Sequence, residues 1–384
     1  MPSRVLARGR AACAWAVLVV GIAGCTSAGS GSSAVTASGK TLAIYLSGAP
    51  TSQPGVAADV LNAEKLAYLN SPESPNGFRL RLVTLHEQIS DQARIAIQDS
   101  SAIAYLGEVV PHSSYASLGI TNALDLLQVS ATDTALELTQ STPAVPGAPD
   151  IYYQSRSTYG QTFARVVPTS AREAQAQVQE MRALGVSKLY VTDDGGPYGA
   201  AIANALKSDA SGKLTVVDSQ AGADGVFYGT NSVAAATHFF DQAAASNPAV
   251  KLFGPSALYD QTFAGGLSPA IHNLIISTPG FRTADLPQAG TKFVSEFSSR
   301  YGHDPVPQAI FGYEAMSAVL AVLREAGSQA NNRSTVVHDF LALKDRQSVL
   351  GTYSMNSSGD TNIAPFVFGR LQRGKLVPFA QVQG

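Results

Sequence analysis

From Thr41 onward, short runs of β-branched and aromatic residues alternate with longer stretches whose apolar positions return every three or four residues. Thr41-Leu42-Ala43-Ile44-Tyr45-Leu46 reads as a strand, followed by the turn-rich Ser47-Gly48-Ala49-Pro50-Thr51. Val60, Leu61, Leu66 and Ala67 form a stripe at helical spacing, which predicts a helix over Ala57–Tyr68. Phe78–Thr84 alternates as a strand does. A helix follows over Asp91–Gln98, then a buried strand, Ala102–Leu106, ending at Gly107, and another at Leu126–Val129.

The clearest helix start is Ser170-Ala171-Arg172-Glu173. This is a capping-box spacing, in which hydroxyl and carboxylate would satisfy free backbone donors reciprocally. Ala174, Val178 and Met181 continue the period until Gly185 stops it. Lys188–Thr192 predicts a strand and Tyr198–Ala210 a helix. Further strands are expected at Leu214–Val217, Val226–Tyr228, Val250–Phe253 and Leu274–Ser277. Two late helices fit Thr291–Tyr301 and Ala309–Ala326, the second with Ile310, Tyr313, Met316, Leu320 and Leu323 on one face. The last thirty or so residues switch to period two. Strands alternating with helices imply mostly parallel sheets covered on both faces. Two such runs in a chain this long exceed one ordinary core, so the pattern predicts an α/β protein of two doubly wound, Rossmann-like lobes. One irregularity stands out. The connection over 218–225 is too short for a helix, whereas a parallel crossover ordinarily needs a dozen or more residues.

The N-terminal segment does not fit this pattern. Arg4, Arg8 and Arg10 precede an apolar stretch from Ala11 to Ile22, too short to span a bilayer but of signal-peptide length. It runs into Ile22-Ala23-Gly24-Cys25, which resembles the bacterial lipobox, where the cysteine is lipidated. Thr26–Lys40 is almost entirely Ser, Gly, Ala and Thr, the composition of a flexible tether. The two cysteines, Cys13 and Cys25, leave the body without a disulfide. Three of the 26 basic residues lie in the leader, so the body carries 23 against 28 acidic residues, a formal charge of −5. That balance argues against nucleic acid as a partner.

Five segments in order resemble the type I periplasmic binding proteins, in particular receptors for branched-chain amino acids. They are Phe163–Ser170 with its capped helix, Gly185–Val191, the acidic loop Asp193–Gly199, Phe293–Pro305 with the helix through Tyr313-Glu314-Ala315, and Gly351–Ser354 with Gly359-Asp360. The resemblance implies a signal at 1–24, a tether at 25–40, an N-terminal lobe of 41–167 plus 283–350, and a C-terminal lobe of 168–282 plus 351–384. Crossovers near Pro168, Pro279–Leu286 and Leu350 would form the hinge. It also implies a small solute, an amino acid or similar, held in the cleft without a cofactor and delivered to an ABC permease, with Cys25 anchoring the protein on the outer side of the cell membrane.

Residue by residue, the same resemblance nominates Ser113, with Ser114 as the alternative, in a hydroxyl-bearing loop opening a helix, where free amides suit a carboxylate. Thr132 and Thr134 fall in the family's small-residue and threonine loop, Tyr198 at the cleft mouth, and Tyr228 before Gly229. At the position where an acid commonly takes the ligand's ammonium this chain has Ser256, a neutral hydroxyl. A buried ammonium without a carboxylate is costly. Asp133, Asp193 or Asp194 would have to substitute, or the solute is not an α-amino acid. The six histidines show no metal spacing, and neither a nucleophile elbow nor a phosphate loop is present. No enzymatic role and no metal site is therefore expected. The rival reading is an envelope sensor or protein-binding regulator of the same fold.

Overall fold

The computed structural model describes residues 35–71 and 74–384. The leader, Cys25 and most of the tether lie outside the described residues. The first half of the chain runs β1 (Thr41–Ser47), α1 (Pro54–Leu69), β2 (Arg79–Leu85), α2 (Ile89–Gln98), β3 (Ala102–Leu106), α3 (Tyr115–Asn122), β4 (Leu127–Ser130), α4 (Arg156–Tyr159) and β5 (Phe163–Arg165). These strands form a five-stranded parallel sheet in the order β2-β1-β3-β4-β5. The chain continues through α5 (Ser170–Ala183), β6 (Lys188–Asp193), α6 (Pro197–Ala210), β7 (Thr215–Val217), β8 (Gly225–Gly229), α7 (Val233–Ser246), β9 (Lys251–Gly254), α8 (Gln261–Gly265) and β10 (Leu274–Pro279). It then returns to the first sheet as α9 (Gln288–Tyr301), α10 (Ala309–Ala326), α11 (Arg333–Leu341) and the small hairpin β11 (Arg346–Ser348) and β12 (Gly351–Tyr353). Finally β13 (Pro365–Gln372) and β14 (Lys375–Gln383) add antiparallel to the second sheet, whose order is β14-β13-β10-β9-β8-β6-β7.

Strand periodicity accounts for the layers, since successive side chains point to opposite faces. Leu42, Ile44 and Leu46 of β1 enter the core shared with α1, α9, α10 and α11, while Ala43 and Tyr45 face α2. In the second sheet Leu189, Phe227, Phe253 and Ile275 pack on α5 and α6, while Val226, Tyr228, Leu252 and Ile276 face α7 and α8. The chain crosses between the sheets three times, at 166–169, at 280–287 and after Tyr353. The third crossing falls later than expected, because Tyr353 and Met355 still pack in the first core and the chain joins the second sheet only at Pro365.

The short connection over 218–225 passes from β7 to β8 on the other side of β6 through a single 3₁₀ turn, Gln220–Gly222. It suffices because β7 has three residues, roughly 10 Å of rise, so little return path is needed.

Candidate functional site

The C-terminal ends of the strands, where open α/β sheets bind their ligands, meet between the two sheets. The link is made of named bonds. Thr134 Oγ1 of the first lobe lies 3.4 Å from Ser256 Oγ of the second, and the Tyr198 hydroxyl lies 3.5 Å from the same atom. Gln53 Nε2 donates to the Ser256 carbonyl at 2.9 Å. Asp260 Oδ2 accepts from Gly55 N at 3.0 Å and Val56 N at 3.2 Å, so a carboxylate of the second lobe caps α1 of the first. Asn231 Nδ2 donates to the Pro111 carbonyl at 3.0 Å.

Thr134, Tyr198 and Ser256 are thus brought together from three separate segments, all buried. Tyr198 reaches this point because α6 starts tightly against β8. A Cβ on Gly199 would lie 2.4 Å from the Gly229 carbonyl oxygen, and one on Gly229 would lie 2.4 Å from that of Gly199. Burial, with the negative charge of Glu173 behind it, holds the Tyr198 phenol well above its ordinary pKa. Thr132 sits one step back, its hydroxyl donating to the Val109 carbonyl at 2.7 Å. Ser113 lines a pocket of about 200 Å³ on the first lobe, together with Ser47, Thr51, Ser52, Glu108 and Val110. Its hydroxyl donates to the Val110 carbonyl, and the Ser114 side chain does not cap α3. Tyr228 does not join these groups: it points to the opposite face of its sheet and stacks on Phe239 with ring centroids 4.0 Å apart.

The most informative departure concerns Glu173. The expected capping box does not form: Thr169 occupies the N-cap position without a side-chain bond, and Ser170 Oγ has no partner. Glu173 instead turns inward, fully buried. Its Oε1 accepts from Ser256 N at 2.5 Å and Ser277 Oγ at 2.6 Å, and its Oε2 accepts from Ser256 Oγ at 2.8 Å. Burial pushes this carboxyl up to about 7, against the lowering pull of those three bonds. Because Ser256 Oγ gives its proton to Glu173, it offers only lone pairs to the cleft. A buried carboxyl therefore stands one layer behind the serine. Each of the three aspartates named as possible substitutes accepts from backbone N–H groups. Asp133 accepts from His112 N at 2.7 Å and Ser114 N at 2.9 Å. Asp193 and Asp194 accept from Gly195 N and Gly196 N, each at 2.9 Å. Glu173 was hidden because a capping box and an inward-facing first-turn carboxylate share one sequence spacing.

Arg165, at the end of β5, fixes the threonine loop. Fully buried, it donates to Asp360 Oδ1 at 2.7 Å, to the carbonyls of Asp133 at 3.0 Å and Ala135 at 2.7 Å, and to Thr139 Oγ1. Among the described residues no cluster of His, Cys, Asp and Glu has the arrangement to hold a metal ion, and no helix is long and apolar enough to cross a membrane.

Two lobes, three crossovers and a cleft built from strand ends define the type I periplasmic binding protein fold. The family model for periplasmic binding proteins matches residues 126–375, and the chain belongs to that family. Among solved structures it is similar to a leucine-binding protein from Thermotoga maritima, at 17% identity over 89% of this chain and 99% of that one, with a TM-score of 0.73. An ABC transporter substrate-binding protein from Desulfitobacterium hafniense in complex with leucine matches at 18% identity, 88% and 100% coverage and a TM-score of 0.70. A solute-binding protein from Rhodopseudomonas palustris in complex with benzoate matches at 16% identity, 90% and 97% coverage and a TM-score of 0.67. No curated protein matches in sequence.

Proposed function

We propose that this protein is an extracytoplasmic solute receptor that closes on a small carboxylate-bearing solute, an amino acid or a relative of one, and presents it to an ABC permease. The observation that carries this reading is the cross-lobe cluster of Thr134, Tyr198 and Ser256 backed by Glu173. Hydroxyl donors on the first lobe suit a carboxylate, and the serine lone pairs backed by a buried acid suit an ammonium. The similar structures named above hold leucine in one case and benzoate in another, both small carboxylic acids. Cys25, lipidated at the end of the leader, would hold the body on the outer side of the cell membrane, with the residues up to Lys40 as tether.

The test is calorimetric titration of protein stripped of bound solute by unfolding and refolding, with amino acids and aromatic carboxylates as titrants. Micromolar or tighter binding of one class is expected. The double variant Thr134→Val/Ser256→Ala should weaken it at least about tenfold, since each lost hydrogen bond to a charged group is worth about 1.5–3 kcal/mol, while its unliganded melting temperature stays within a few degrees. Loss of folding in the variant would make these groups structural.

A second reading, the envelope regulator, is favoured by one observation. Leu118, Ala135, Leu138 and Phe163 of the first lobe join Tyr198, Ile202 and Phe366 of the second in one continuous apolar cluster. A cleft held shut in this way would serve a protein partner, and it predicts silence in the same titration.

A further inference from the structure

The pocket on the first lobe has an uneven wall. Pro50, Val109, Val110 and Ile89 make it apolar, Ser47, Thr51, Ser52 and Ser113 add hydroxyls, and Glu108 is the one ionisable side chain lining it. Glu108 is fully buried, and its carboxyl is held only by neutral donors. These are the Ser47 hydroxyl, itself on the pocket wall, the Tyr105 hydroxyl at 2.7 Å and the Ser117 hydroxyl. Among the described residues no Lys, Arg or His reaches it. The titratable groups facing it from the surrounding elements are Tyr105 of β3, Glu64 of α1 and Asp133 in the loop after β4. Two of these three are acids. Burial, reinforced by Asp133 and opposed by the hydroxyl bonds, pushes Glu108 up to about 7. Burial likewise pushes Glu64 well above its ordinary range, with Glu108 adding to the rise.

A carboxylate in such a place is stabilised by a cation and destabilised by hydrocarbon. Three hydroxyl donors still leave one of its roughly four lone-pair sites free. We infer that the solute carries a cationic amine into this pocket, where it binds Glu108, so that the receptor selects amine-bearing solutes over purely aliphatic ones of equal length. This inference rests on the receptor reading above and narrows its solute class. Neither lobe needs to rearrange for it, because the pocket exists alongside the hydrogen bonds that join the lobes.

The experiment is titration calorimetry on the full-length protein, stripped of solute, with matched pairs: lysine against norleucine and ornithine against norvaline, with leucine and benzoate alongside. The amine member of each pair should bind at least about tenfold tighter. Its affinity should fall about tenfold from pH 8 to pH 6, because protonating Glu108 removes its charge. Glu108→Gln should erase both the preference and the pH dependence, while the unliganded variant melts no lower than the wild type because a buried acid has been removed. Equal or tighter binding of norleucine, norvaline, leucine or benzoate would overturn the amine inference and leave the receptor intact. The same holds if Glu108→Gln keeps the lysine preference. Silence from every titrant, with well-folded protein, would overturn the receptor reading as well.

Discussion

At the scale of single residues, the site turns on where the acids went. The family resemblance nominates Thr134, Tyr198 and Ser256, and the structure brings the hydroxyls of Thr134 and Tyr198 each within 3.5 Å of that of Ser256. Ser256 looked deficient because sequence order says nothing about what stands behind a side chain. Glu173, 83 positions away, stands there with its carboxylate on the serine hydroxyl. Tyr228 follows its strand's alternation to the far face, a parity that depends on where β8 starts and that period alone cannot set. Two of the buried glutamates have a measurable consequence. Glu108 and Glu173 both have folded-state values near 7, above the ordinary 4.5. A carboxyl raised on folding binds its proton more tightly in the native state, so native stability falls as pH rises through the interval between the two values. Each contributes about 3 kcal/mol of such loss between roughly pH 4.5 and 7, by the standard conversion of pKa to energy. Urea unfolding of unliganded protein should show wild type losing this stability from pH 5 to pH 8, and a Glu108→Gln/Glu173→Gln variant losing markedly less. Parallel pH profiles would show that neither carboxyl is raised.

At the scale of elements, legibility followed the strength of the periodic signal. β3 and α10 lie where the apolar pattern put them. α5 stops where Gly185 adopts a positive φ of 77°, a conformation glycine reaches without strain. α7 was not legible: its run Val233-Ala234-Ala235-Ala236 and the later alanines give little contrast between faces, although Ser232 caps it through Ala235 N at 3.3 Å. What no local pattern could show is the cap on α1. The helix begins with Pro54 and has no side-chain cap of its own, and Asp260 provides one across the cleft. Gln53 and Gln308, at the starts of α1 and α10, both donate to the Tyr259 carbonyl at 3.4 Å and so support the same contact. Asp260→Ala should therefore cost about 1 kcal/mol of stability, as lost N-caps do. It should also free the lobes from one another, seen as a larger radius of gyration in small-angle scattering of unliganded protein. An unchanged radius would mean that the cap does not restrain the lobes.

At the scale of the whole molecule, the two sheets are tied by three crossovers, the last of them after Tyr353. That one was masked because β11 and β12 already show strand-like alternation while still belonging to the first core. The buried pair of Arg165 and Asp360 joins the first crossover to the third and holds the threonine loop between them. Removing one partner leaves the other charge buried, which costs about 3–5 kcal/mol. Arg165→Met should show a loss of that size in chemical unfolding, and a loss below about 1 kcal/mol would assign the fold of that loop to its apolar contacts. The central claim, however, is that the closed cleft takes a small solute. The most direct measurement is thermal unfolding of solute-stripped protein against a panel of amino acids, amines, aromatic carboxylates and sugars. At a hundred times its dissociation constant a true ligand adds about 2.7 kcal/mol of stability, so one chemical class should raise the melting temperature by several degrees, and Ser256→Ala should reduce that rise. A well-folded protein whose melting temperature no member of the panel moves would contradict the account.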